Sequence, residues 1–86
     1  MADLSRLVER APRSKPASQL GARLARERAR QCKSMNDLAQ IAGTHASEIS
    51  RLERGLRDPR LSTIVRLARA LDVPVCDLLE GVAPTA

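Results

Sequence analysis

SMNDLAQIAGTHASEISRLERG, residues 34–55, holds two short amphipathic runs joined across a glycine. Ser34 stands three residues before Asp37, so its hydroxyl can accept from the Asp37 amide and start a helix there. Leu38, Ala39, Ile41 and Ala42 then supply the inward side. Gly43 ends the run, since glycine takes a positive φ without the clash a Cβ would bring. The second run, about Ala46 to Arg54, has Ile49 and Leu52 as its apolar pair and Gly55 as its stop. Two helices that cross steeply at a tight turn need a small residue where their backbones approach. Ala39 meets that need, and Leu38, Ala42, Ile49 and Leu52 close the shared core.

The flanking sequence reads as more helix. Ser18 is a candidate N-cap for a first helix running to about Cys32, with Leu20, Leu24 and Arg28 stacked four apart. Beyond the loop GLRDPR, Ser62 can cap a fourth helix whose Ile64, Val65, Leu67, Ala68 and Leu71 form the strongest apolar stripe in the chain. Val73 and Pro74 begin a short fifth helix through Leu79, and Gly81 ends it. Upstream, Leu4, Leu7 and Val8 have helical spacing, but DLSRLVER is too short to hold a helix alone. The adjoining stretch APRSKPAS, with its two prolines, has the chemistry of a linker. The expected organisation is an N-terminal extension over 1–16, one all-α domain over 17–81 and a tail over 82–86.

Composition narrows the function. The 86 residues include 43% hydrophobic side chains but no Phe, Trp or Tyr. The core must therefore be aliphatic, and the aromatic platforms that grip unpaired bases are missing. Fifteen Lys and Arg against ten Asp and Glu give a formal charge of +5, which favours a polyanionic partner. Cys32 and Cys76 match no metal-ligand spacing and have only His45 as a nitrogen companion. They read as reduced, semi-buried packing residues, and neither a metal nor another cofactor is expected. No run of about 18 apolar residues exists to span a membrane, and there is no leader sequence, so the expected setting is the cytoplasm. One histidine, no nucleotide loop and no paired carboxylates in an apolar setting leave no catalytic constellation, so an enzyme is not expected.

LGARLARERAR at 20–30, the stretch 34–55, and DPRLSTIVRLARALDVPVCDLLEG at 58–81 together resemble the phage-repressor family, the Xre/Cro-type helix-turn-helix regulators. The resemblance implies a compact five-helix, lambda-repressor-like domain whose third helix lies in the DNA major groove, with the start of the second helix against a phosphate. It also implies an ion pair between Arg28 and Glu53 that links the first and third helices. Advancing about 100° per residue, Ala46, Ser47, Ser50, Arg51 and Arg54 gather on the side opposite Ile49 and Leu52. Arg51 is the leading candidate for a base contact, since a guanidinium can donate twice to guanine O6 and N7. Ser47 and Ser50 can bond many base edges, and Ala46 can meet a thymine methyl. Ser34, Asn36, Gln40, Arg54, Arg57 and Arg60 are the candidate phosphate contacts. Glu48 is expected on the flank, away from phosphates.

Four positions depart from the family pattern. His45 stands where a Ser or Thr cap is usual, Cys32 where glycine is common, and Glu27 with Lys33 where apolar residues are usual. Glu27 can instead pair with a nearby arginine. The favoured function is a sequence-specific regulator of transcription, a repressor binding a double-stranded operator on the nucleoid as a homodimer. Val75, Leu79 and Val82 are a candidate dimer surface, or else cap the core. The alternatives are the antitoxin of a toxin-antitoxin pair and, in a different class, a protein-interaction module.

Overall fold

The computed structural model describes residues 15–82. The reading of residues 3–10 as a marginal turn, and the first part of the proline-rich linker, lie outside them, as does most of the tail. Five helices are arranged in order: α1 (Lys15–Arg30), α2 (Met35–Ala42), α3 (Ala46–Glu53), α4 (Leu61–Ala70) and α5 (Val75–Leu79). Among the described residues there is no strand.

The first helix starts earlier than Ser18. Lys15 opens it and Pro16 occupies the first turn, where a missing N–H leaves no hydrogen bond unmade. Ser18 is thus inside the helix and caps nothing; it lies against Gly55, where an added Cβ would come within 2.7 Å of the Ser18 Oγ. The helix also stops at Arg30 rather than at Cys32. The Lys33 amide donates to the Arg28 carbonyl at 3.1 Å and the Cys32 amide to the Ala29 carbonyl at 2.9 Å, a pattern that needs a left-handed residue between helix and loop. Cys32 fills that place with φ 57°. A side chain there costs about 1–2 kcal/mol, and glycine would lose about 0.5–1 of the gain to its greater freedom in the unfolded chain. Cys32→Gly should therefore raise the unfolding free energy by roughly 0.5–1 kcal/mol, read as a higher urea midpoint at unchanged slope.

The second helix begins as its sequence dictates. Ser34 Oγ accepts from the Asp37 amide at 2.9 Å, and the Ser34 amide donates to Asp37 Oδ2 at 3.0 Å, which closes a capping box. Hydrogen bonding to Ser34, first of all from its backbone amide, holds the Asp37 carboxyl below its ordinary pKa. Gly43 adopts φ 74° at the far end, and the Thr44 amide returns to the Ala39 carbonyl at 2.9 Å. Ile41 does not point inward: it is 57% exposed. Leu38, Ala39 and Ala42 already fill the one stripe of an eight-residue helix that reaches the core. His45 is the N-cap of α3, and its side chain makes no capping hydrogen bond.

Arg60, not Ser62, is the N-cap of α4, and the helix starts at Leu61. Pro59 feeds Arg60 in extended conformation, φ −69° and ψ 157°, so the chain turns into the helix before Ser62 is reached. Pro74 likewise stays extended as the N-cap of α5, which begins at Val75 rather than at Val73.

The core is built from Leu20 and Leu24 of α1, Leu38, Ala39 and Ala42 of α2, Ile49 and Leu52 of α3, Leu67 and Ala68 of α4, then Leu71 and Leu78. Around it α1 packs on α3 and α5, α2 on α3 and α4, and α4 on α5. Val65 faces out, although its stripe predicts burial, because only Leu67, Ala68 and Leu71 line up on the inner side with Ile64 at the margin. Cys32 and Cys76 are both exposed free thiols, against the expectation that they are semi-buried packing residues. One sits on the left-handed exit of α1, and the other on the outer side of a five-residue helix that buries only Leu78.

Gly21 sets how closely α1 and α3 approach. A Cβ built there would lie 2.3 Å from the Leu52 carbonyl oxygen and 2.7 Å from that of Glu53. Only a glycine lets the two backbones meet at that distance.

Candidate nucleic-acid interface

In α3 the 3.6-residue period sorts the side chains cleanly. Ile49 and Leu52 are buried, Ser47, Arg51 and Arg54 are exposed, and Ala46 and Ser50 are half-buried between them. This places the four candidate base contacts along one open side. Ser34, Asn36, Gln40, Arg54, Arg57 and Arg60 are also exposed. Three of these six are partly committed, Arg57 by a contact of 3.7 Å with Glu48. The Ser34 hydroxyl serves the capping box, and Arg54 Nε folds back to the Ser50 carbonyl at 3.3 Å.

Arg28 and Glu53 form a two-point ion pair: Arg28 Nε lies 2.5 Å from Glu53 Oε2, and Nη2 donates to Oε1 at 3.0 Å. Arg28 Nη1 adds a hydrogen bond to the Lys33 carbonyl at 2.8 Å. The pair is sheltered, with side-chain exposures of 18% and 7%, so its charges are weakly screened. Glu53 thereby holds the Arg28 guanidinium above its already high ordinary pKa. The end of α1, the turn after it and the end of α3 share one anchor, which fixes the tilt of the exposed face of α3.

A second polar cluster explains Glu27 and Lys33. Glu27 pairs with Arg30 and accepts from Gln31 Nε2 at 3.1 Å, while the same nitrogen donates to the Leu71 carbonyl at 2.6 Å. Lys33 Nζ closes the set on Gln31 Oε1 at 2.7 Å. The hydrogen bonds from Arg30 and then Gln31 lower the Glu27 pKa. Hydrogen bonding thus ties α1 to the end of α4 where an apolar contact would otherwise do so. Gln31 carries no signal of this in the sequence, since its partner is a backbone carbonyl forty residues away.

Glu48 is less remote than its flank position suggests. Its Oε1 lies 3.8 Å from Arg51 Nη1 and 3.7 Å from Arg57 Nε. The three-residue spacing of Glu48 and Arg51 makes the first contact readable from sequence; the second depends on the path of the loop after Gly55. Glu48, Arg57, Arg60 and Arg66 border an open groove of about 410 Å³ between α3 and α4, with His45 at its rim. Among the described residues no three His, Cys, Asp or Glu side chains converge to hold a metal ion. Nor is any helix among them long and apolar enough to cross a membrane.

A capped helix, a glycine turn and a second helix that is polar and cationic on its open side, all set in an α-helical core, define a helix-turn-helix DNA-binding domain. The chain belongs to the helix-turn-helix domain family, whose match spans residues 19–80, and it is of the Xre/Cro type. The restriction-modification controller protein C.AhdI from Aeromonas hydrophila is 34% identical, with a TM-score of 0.71 over 72% of this chain and 94% of that one. The clp gene regulator ClgR from Corynebacterium glutamicum is 28% identical, with a TM-score of 0.72 over 74% and 83% of the two chains. The controller protein C.Esp1396I, at 20% identity, shares the fold with a TM-score of 0.73 over 80% of this chain and 90% of that one. No curated protein sequence gives a match. The protein is a DNA-binding regulator of transcription.

Proposed function

We propose that the protein is a repressor that lays α3 in the major groove of a double-stranded operator and acts there as a homodimer, in the cytoplasm and on the nucleoid. The observation that carries this reading is the division of α3: Ile49 and Leu52 are buried while Ala46, Ser47, Ser50 and Arg51 line the open side, with Arg54, Arg57 and Arg60 nearby for the backbone. Arg51 reads a guanine, the serines and Ala46 supply lesser contacts, and the basic residues beyond them meet phosphates. Ser34, Asn36 and Gln40 at the α2 side complete the phosphate set, and Arg28 with Glu53 holds the helix at its working tilt. One domain offers few base contacts, so tight specificity calls for two copies on a symmetric site. Leu61 and Val65 of α4 and Leu79 of α5 are 68%, 37% and 38% exposed, and apolar side chains left open in this way suit a contact between copies. Of the expected surface, Leu79 and Val82 line a shallow apolar groove beside Pro16 and Ala17, whereas Val75 packs against the core.

Selection of bound fragments from random DNA tests the reading, because it yields the operator and its half-site spacing together. On that operator, Arg51→Ala should lose about 1–3 kcal/mol of discrimination against random duplex while keeping most general affinity. Arg57→Ala should weaken both alike and make the dependence of log K on log salt shallower by about 0.9. Equal losses of discrimination in the two variants would overturn the assignment of Arg51. The identity to C.AhdI over nearly all of that chain favours one narrower reading, a controller of restriction-modification genes. Selected operators lying beside such genes would support it, and operators found only elsewhere would reject it.

A further inference from the structure

Glu48 places a carboxylate beside the arginines of the open side of α3, on a groove that Asp58 also lines. A single oxygen, Oε1, stands within 3.8 Å of Arg51 Nη1 and 3.7 Å of Arg57 Nε. Its side chain is 31% exposed, against 45% for Arg51 and 52% for Arg57. The carboxylate is the sheltered partner of both arginines and the guanidinium groups are the freer ends. Arg51 belongs to α3, whereas Arg57 comes from the loop before α4, so Glu48 links the helix to that loop at the edge of the groove.

We propose that Glu48 is a positioning residue for operator specificity, which restrains Arg51 from engaging arbitrary phosphates and is itself steadied from the other side by Arg57. The proposal rests on the reading of Arg51 as a base contact. A long arginine near DNA satisfies itself on the nearest phosphate, an interaction with no sequence information. A neighbouring carboxylate offsets that general pull and repels the backbone. Leaving Glu48 is then favourable for Arg51 mainly where a guanine offers O6 and N7 together. The device lowers affinity for all DNA but lowers it most for the wrong DNA, which is how discrimination by repulsion works. Glu48 also lies in the first turn of α3, where a negative charge favours the helix. That role alone affects stability and leaves discrimination untouched.

Glu48→Gln keeps the shape and removes the charge. Binding of this variant to the selected operator and to a random duplex is measured across a salt series, alone and combined with Arg51→Ala. Affinity for the random duplex should rise about tenfold at low salt and its salt slope should steepen by about one. The operator should gain no more than about threefold, so that the ratio between the two falls. In the Arg51→Ala background the added Glu48→Gln should no longer change the ratio. Equal gains on both duplexes, with the ratio kept, would overturn the proposal and leave simple repulsion. A lower melting temperature with an unchanged ratio would overturn it in favour of the helix-end role. Full discrimination by Arg51→Ala alone is a different result: it removes the base contact on which the proposal stands.

Discussion

Gly21→Ala is expected to lower the unfolding free energy by about 2–3 kcal/mol, although alanine favours a helix interior by about 1 kcal/mol over glycine. Packing decides the sign. The new methyl carbon would lie 2.3 Å from one α3 carbonyl oxygen, 2.7 Å from the next and 2.9 Å from a carbonyl carbon. All three are backbone atoms of Leu52 and Glu53, so no side chain can swing aside to make room. Relief requires α1 and α3 to separate, which would also strain the contacts of Leu20 and Leu24 with the rest of the core. Denaturant unfolding checks this directly, and a variant more stable than the parent would show that the helices separate at little cost. Because the displaced element is α3, operator affinity should fall even at temperatures where the variant stays folded.

Arg28→Met is expected to cost about 3 kcal/mol. The change keeps the length and packing of the side chain but leaves the Glu53 carboxylate, 7% exposed, without its cation. It also removes the donor to the Lys33 carbonyl. Combining it with Glu53→Leu should recover most of the loss, because a buried pair replaced as a unit by apolar groups of similar size is often close to neutral. That double variant separates stability from orientation. If the pair sets the tilt of α3, the double variant folds with nearly parental stability yet binds its operator less selectively. A double variant as unstable as Arg28→Met alone would contradict the account, since it would place the cost outside the unpaired charge.

The parts of this structure that can be read in the sequence are those whose physics is local. Ser34 and Asp37 form their box within four residues, Gly43 ends α2 through its own backbone, and the two faces of α3 follow from period alone. Ser18 and Ser62 show the limit of the same reasoning. Each has the right chemistry for a cap, but Pro16 in the first turn of α1 and the extended Arg60 after Pro59 decide where the chain enters the helix. Ile41 fits the apolar pattern, yet α2 has room for one inward stripe only. Gly21 is the largest omission. Nothing near it in sequence marks it as a contact point, because what makes it necessary is the end of a helix about thirty residues further on. The candidate site divides in the same way: the exposed face of α3 is legible from spacing, whereas the link from Glu48 to Arg57 depends on the loop.

The last helix has only five residues and cannot hold its form by its own hydrogen bonds. It stays in place because Leu78 is buried and because Arg23 of α1 donates to the Asp77 carbonyl at 2.9 Å and pairs with Glu80. Such an element belongs to the low-energy end of native-state opening, where a segment detaches while the rest of the domain remains folded. Leu79 and Val82, which border the shallow apolar groove beside Pro16 and Ala17, leave with it. A second copy that covers this surface would therefore do more than add contacts, since it would suppress the detachment itself. In such a dimer, partner concentration would act as a control on local order: α5 would fray most readily in a dilute, single chain and be locked by mass action as copies associate.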